Sequence, residues 1–141
     1  MTIKRLGEVA LRTANLDTMQ YFYSEVIGLE PMNTEGDIRF LKIGEGYAGH
    51  TQVLVLFHEA IPPDNGNDEF TSVQRQYSTL HHIALAIDNA DYESEKTRLE
   101  GLGYVVETAI HHWMKWRSLY ISDPDGNTVE LVCYDETIDT S

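Results

Sequence analysis

The last apolar stretch of the chain carries one residue that does not belong in a core. From Thr128 to Tyr134 every residue except Glu130 is apolar, aromatic, Thr or Cys. A buried carboxylate costs several kcal/mol unless it is paired, so Glu130 either faces water or has a cationic or metallic partner. Two further residues qualify by type and position: His82, at the head of the run His82-Ile83-Ala84-Leu85, and Glu8, at the head of Glu8-Val9-Ala10-Leu11. A histidine and two carboxylates brought to one point form a hard, mixed nitrogen and oxygen donor set. Such a set suits one divalent ion, Mn²⁺, Fe²⁺, Ni²⁺, Co²⁺ or Zn²⁺, and three ligands leave positions open for water or substrate.

The elements that would hold these residues follow from periodicity and turn chemistry. Leu6 to Thr13 reads as a strand. Asn15-Leu16-Asp17 offers capping side chains, and Leu16, Met19, Tyr23, Val26 and Ile27 recur at helical spacing until Gly28 stops the helix. Strands follow at Leu29 to Asn33, Asp37 to Ile43 and Thr51 to His58; the centre of the last is apolar on both faces. Residues 59–79 are polar and proline-containing, a linker with one helical turn near Val73 to Tyr77. Leu80 to Asp88 then reads as a strand, Tyr92 to Leu102 as a helix ended by Gly103, and Tyr104 to Ile110, Trp116 to Ser122 and Thr128 to Tyr134 as strands. Between the last two, Asp123-Pro124-Asp125-Gly126-Asn127 must reverse the chain, because Pro124 presets one dihedral and Gly126 tolerates positive φ.

The second half thus repeats the first. Glu8-Val9-Ala10-Leu11 matches His82-Ile83-Ala84-Leu85 at an offset of 74 residues, and Val53-Leu54-Val55-Leu56 matches Thr128-Val129-Glu130-Leu131 at 75. The expected fold is α+β, with two βαβββ modules, residues 1–58 and 80–134, forming a curved sheet around a shared cavity; residues 135–141 are a tail. Strand parity puts Glu8, Ala10 and Arg12 on one face of the first strand, and His82, Ala84 and Ala86 on the matching face of its copy. The small alanines leave room there. If a pseudo-two-fold relates the copies, Glu8, His82 and Glu130 point into one cavity. The fourth position by repeat symmetry is Val55, which cannot coordinate an ion.

The paired modules, the His82 to Leu85 strand, Phe22-Tyr23, Ile27-Gly28-Leu29 and the Asp123 to Leu131 stretch resemble the vicinal oxygen chelate superfamily. That group includes glyoxalase I, fosfomycin-resistance enzymes, methylmalonyl-CoA epimerase, extradiol dioxygenases and metal-free bleomycin-binding proteins. The resemblance spans roughly Leu6 to Tyr134. It implies metal ligands on the first and last strands of each module: His82 and Glu130 match by motif, and Glu8 stands where His or Gln is more usual. Val55 stands where glyoxalase I has its fourth ligand, a Glu, which favours the three-ligand pattern of the fosfomycin-resistance enzymes and dioxygenases.

Other side chains could complete a site. The segment His111-His112-Trp113-Met114-Lys115-Trp116-Arg117 is dense in aromatic and imidazole groups; His112 is the candidate acid or base from it, with Trp113 and Trp116 contacting substrate. The alternative role for this segment is an aromatic loop packed at a dimer interface. Arg12 and Tyr120 can bind a carboxylate or enolate oxygen, with Tyr120 a second catalytic candidate, and Val55 and Phe57 line the substrate side. Two functions follow. In one, a metal-dependent enzyme chelates a small substrate through neighbouring oxygens for isomerase, lyase, epoxide-adding or dioxygenase chemistry. In the other, a metal-free protein sequesters a cationic or aromatic compound.

Composition bounds both. The 141 residues suit one domain or two small ones, and 23 acidic against 10 basic residues give a net charge of -13, which opposes binding to nucleic acid or anionic membrane. Cys133 is the single cysteine, so no intrachain disulfide forms. The N-terminus lacks a signal-peptide apolar core, which points to the cytoplasm. The resemblance adds the expectation of a homodimer, its modules paired within a chain or exchanged between two.

Overall fold

The computed structural model describes residues 1–61 and 80–140. The expected helical turn near Val73 to Tyr77 lies outside them. The chain divides into two units, Met1–Gln74 and Arg75–Ser141.

In the first unit, β1 (Glu8–Thr13), α1 (Leu16–Tyr21), β2 (Glu30–Asn33), β3 (Ile38–Gly44) and β4 (Gln52–His58) follow in order. The sheet order is β1-β4-β3-β2, with β1 parallel to β4 and the other pairs antiparallel. The second unit repeats it: β5 (Ile83–Ala86), α2 (Tyr92–Gly101), β6 (Glu107–His111), β7 (Trp116–Ser122) and β8 (Thr128–Tyr134), in the order β5-β8-β7-β6. These are the two four-stranded mixed sheets of an α+β, paired βαβββ fold, and neither closes into a barrel. No described helix is long and apolar enough to cross a membrane.

One face of each sheet is buried by its helix. In the first unit Leu41, Leu54 and Leu56 are buried together with Met19, Phe22 and Tyr23, each within 2% of full burial. Phe22 and Tyr23 meet edge to face with ring centroids 5.0 Å apart. Complete burial of each such side chain stabilises the fold by about 1.5–3 kcal/mol. In the second unit Leu119, Val129 and Leu131 are buried with Leu99 of α2, and the Tyr92 hydroxyl donates to the Ser118 carbonyl at 3.1 Å.

Local geometry departs from the sequence reading at three points. The first helix is not uniform: after Tyr21 it widens into a π-helical turn over Phe22–Val26. Gly28 (φ +97) ends it and Gly103 (φ +95) ends α2, the same left-handed stop in both copies. Asn15 occupies the N-cap position without a side-chain cap bond; its backbone N–H donates to Thr13 Oγ1 at 2.9 Å. Strand β5 is shorter than the stretch Leu80 to Asp88, so His82 precedes the strand rather than sitting within it.

The turn that ends β7 is built on Asp123, which is 4% exposed. Its Oδ1 accepts from the backbone N–H groups of Asp125 and Asn127, both at 2.9 Å, and its Oδ2 from Asn127 Nδ2 at 2.8 Å. Three bonds to one buried carboxylate fix where β8 starts, and hence which face Glu130 takes. Asp123→Ala is expected to lower unfolding stability by about 2–4 kcal/mol, read by urea denaturation.

Candidate functional site

Cross-strand register carries the polar residues of the second unit to the sheet face opposite α2. Ala84 pairs with Glu130, and Glu130 with Tyr120. Trp116, Ser118 and Tyr120 alternate onto that face of β7, while Arg117, Leu119 and Ile121 take the helix side. Glu107, Ala109 and His111 of β6 share the polar face through their pairing with Tyr120, Ser118 and Trp116.

Glu130 sits at the centre of this face, 5% exposed, and both its oxygens are engaged. Its Oε1 is 3.1 Å from His82 Nε2, and its Oε2 accepts from Ser118 Oγ at 2.5 Å. The His82 side chain is 36% exposed against 7% for Glu130, so the pair has a wet side and a dry side. The dry side is Ser118, fully buried. Ala84 and Ala86 next to it are exposed and leave the imidazole and carboxylate accessible. Behind His82, its Nδ1 lies 2.8 Å from His81 Nδ1, so one of these two nitrogens must donate to the other.

A second pair lies on the same face. His111 Nε2 is 3.1 Å from the Tyr120 hydroxyl, and both residues are half-buried. His112, the histidine favoured from sequence, is placed elsewhere: its Nδ1 lies 2.8 Å from the Asp139 carbonyl oxygen, which ties it to the C-terminal tail. The reason is local. Strand β6 runs through His111, and a 3-10 turn at His112–Met114 closed by Lys115 at φ +57 rotates the next side chains off the sheet. Trp113 at that turn is 80% exposed and Trp116 39% exposed. Ser118 was not singled out from the sequence, and His111 only as part of the aromatic segment; Ser118 alternates with Tyr120 on β7, and His111 joins their face through its pairing with Trp116.

In the first unit the same face of β1 carries Glu8, Ala10 and Arg12, all exposed. Val55 pairs with Ala10 as Glu130 pairs with Ala84, so register places Val55 at the position equivalent to Glu130 without a gap. Val55 is fully buried and Phe57 half-buried. Cys133 is buried, and that burial pushes its thiol pKa up, away from nucleophilic chemistry.

Among the described residues no three side chains of His, Cys, Asp or Glu gather as a ligand cluster. His82 and Glu130 are a pair. One borderline nitrogen and one hard oxygen, adjacent and reachable from one side, fit a divalent ion as two of its ligands, with Ser118 orienting the carboxylate from behind. If the pair takes up a divalent ion, Ser118→Ala should weaken that uptake by about 10–100-fold, measured by calorimetry, with the fold retained by circular dichroism.

Two βαβββ modules, with a His just before the first strand of the second module and a Glu on its last strand, define a class. The chain belongs to the Glyoxalase/Bleomycin resistance protein/Dioxygenase superfamily, whose family model matches residues 5–131. Its relatives include the lactoylglutathione lyase of Escherichia coli O157:H7, 27% identical over 131 residues covering 91% of each chain. The lactoylglutathione lyase of Neisseria meningitidis serogroup A is 26% identical over 132 residues, covering 91% of this chain and 89% of that one. Among solved structures, the lactoylglutathione lyase of Agrobacterium tumefaciens superposes with a TM-score of 0.68 at 31% identity, covering 94% of this chain and 96% of that chain.

Proposed function

We propose that the protein is a metal-dependent enzyme acting on a small substrate held through neighbouring oxygens. The observation that carries this reading is the His82–Glu130 contact of 3.1 Å on an open sheet face, braced by Ser118. His82 and Glu130 would hold the ion, and the sequence repeat nominates Glu8 as a third donor. A bound divalent ion supplies Lewis acidity toward a carbonyl, epoxide or enolate oxygen. Around it the chain's own groups have distinct work. Ser118 donates to Glu130 Oε2 and so orients the carboxylate, whose Oε1, now facing His82, would meet the ion or a substrate proton. Ala84 and Ala86 leave room for the substrate. The Tyr120 hydroxyl, held by His111 Nε2, can donate a hydrogen bond to a developing anionic oxygen or exchange a proton with it. On this geometry His111 replaces His112 as the histidine of the site.

The reaction class within the superfamily is open to isomerase, lyase, epoxide-adding and dioxygenase chemistry, and the lactoylglutathione lyase relatives favour the first two. Calorimetric titration with Mn²⁺, Fe²⁺, Ni²⁺, Co²⁺ and Zn²⁺ is the test: saturable binding of about one ion per chain supports the enzyme, and no uptake of any of the five discards it.

One observation favours a second reading. Trp113 and Trp116 are large, exposed aromatics on an acidic chain, and together they suit stacking against a cationic or aromatic compound. A metal-free sequestering protein would bind such a compound with equal affinity in the presence of a chelator. We propose further that the protein is a cytoplasmic homodimer; sedimentation giving a species of one chain mass at micromolar concentration would remove the dimer.

A further inference from the structure

A surface pocket in the first unit is lined by the N-terminal arm, Thr2 to Gly7, and by Tyr47 and His50 from the connection between β3 and β4. Two of its lining residues are cations, Lys4 and Arg5, and no carboxylate lines it. That is unusual in a chain with 23 acidic and 10 basic residues. Arg39, Lys42, Lys96, Arg98 and Arg117 all have carboxylate partners. Lys4 and Arg5 have no ion-pair partner among the described residues; Lys4 Nζ makes one long hydrogen bond, 3.3 Å, to the Met1 carbonyl. Arg12 and Lys115 also lack an ion-pair partner among the described residues; what sets Lys4 and Arg5 apart is that they are consecutive and line one pocket, where two uncompensated cations reinforce each other's attraction for an anion.

The connection that forms the other wall is shaped to face the arm. Tyr47 to His50 closes as a tight turn, with the His50 N–H donating to the Tyr47 carbonyl at 3.1 Å. Ala48 sits at φ +53 and Gly49 at φ +86, and a non-glycine residue in this left-handed region is strained. At Gly46 a Cβ would collide with the His50 carbonyl, so only glycine lets the connection fold back this tightly. At Gly7 a Cβ would meet His50 Cε1 at 3.3 Å, which places the imidazole directly against the arm. The Tyr47 phenol and the His50 ring are thus added as hydrogen-bonding groups to the two cations.

We infer that this pocket binds a small oxyanion, the carboxylate or phosphate group of a metabolite, through Lys4 and Arg5, with Tyr47 and His50 completing its hydrogen bonds. Arg5 offers a planar fork matched to two oxygens, and Lys4 a compact charge that swings on a flexible stem. The site is independent of the His82–Glu130 pair, so neither its success nor its failure bears on the enzyme reading.

The test is titration of the full chain with inorganic phosphate, and separately with acetate, at low ionic strength, followed by amide chemical shifts and calorimetry. Saturable binding is expected, with shifts at residues 2–7 and 46–50. The double variant Lys4→Gln/Arg5→Gln should weaken it by at least about tenfold, the loss of two charge-assisted contacts. Lys115→Gln, which removes a similar charge in the second unit, should change it by less than about twofold. Circular dichroism checks that the double variant folds. Phosphate bound tighter than acetate assigns the site to phosphate-bearing ligands, and the reverse order assigns it to carboxylates. No saturable binding of either anion up to about 50 mM overturns the inference, as does equal weakening in the double variant and Lys115→Gln.

Discussion

Glu130→Ala should abolish uptake of a divalent ion altogether. Glu130 is the one acidic side chain buried on the polar face of the second sheet, and His82 makes its ion-facing contact to it. Removing the carboxylate takes away the anionic half of the pair, and the neutral imidazole without it does not hold an ion at micromolar concentration. The fold should weaken as well. Ser118 Oγ loses its acceptor in a fully buried position, which costs about 1–3 kcal/mol. Glu130→Gln separates the two effects, because the amide oxygen can still accept from Ser118 while the anionic ligand is gone. Calorimetry should then show lost ion uptake at near-native stability. His82→Ala should also lose uptake, with a stability loss from leaving the buried Glu130 carboxylate without its imidazole partner, although it keeps the bond from Ser118. If Glu130→Gln binds the ion as tightly as the wild type, the pair is structural and the enzyme reading loses its footing.

The second large effect concerns Val55. Turnover of the glutathione adduct of methylglyoxal by the wild-type protein is expected to be negligible, although the relatives found at 26–27% identity are lactoylglutathione lyases. A mechanism that alternates two glutamates as bases needs a carboxylate on the last strand of both modules. Register pairs Ala84 with Glu130 in one module and Ala10 with Val55 in the other, so one of the two is missing. Val55→Glu adds it at a cost. Val55 is fully buried between Ala10 and Phe40 on neighbouring strands, neither of which offers a side-chain donor. The variant's melting temperature should fall in the presence of chelator, by the equivalent of several kcal/mol. Added divalent ion should recover most of that loss if the new carboxylate becomes a ligand, because binding to the folded state stabilises by mass action. Efficient wild-type turnover of the adduct, or a Val55→Glu protein destabilised equally with and without ion, would show that Val55 is ordinary core packing with no tie to a metal site.

The sequence by itself determined the order of elements, the repeat and the face of Glu130. These follow from information a single strand or helix carries. Alternation set the parity of Glu8, Ala10 and Arg12, and Gly28 and Gly103 marked helix ends because only glycine takes the left-handed stop cheaply. The repeat then tied Val55 to Glu130, and strand register agrees with it residue by residue. What only the tertiary structure decided are contacts between side chains on different strands. Ser118 lies twelve residues from Glu130 and could be assigned to it only once β7 and β8 were in register, since a slip of one residue would turn Ser118 toward the helix. The contact of His111 with Tyr120, and of His112 with the tail, depended on where β6 ends and on Lys115 adopting φ +57, a backbone state that lysine does not advertise. The π-helical turn at Phe22–Val26 was hidden for a related reason: apolar spacing in so short a segment fits a 3.6-residue period and a wider one equally well.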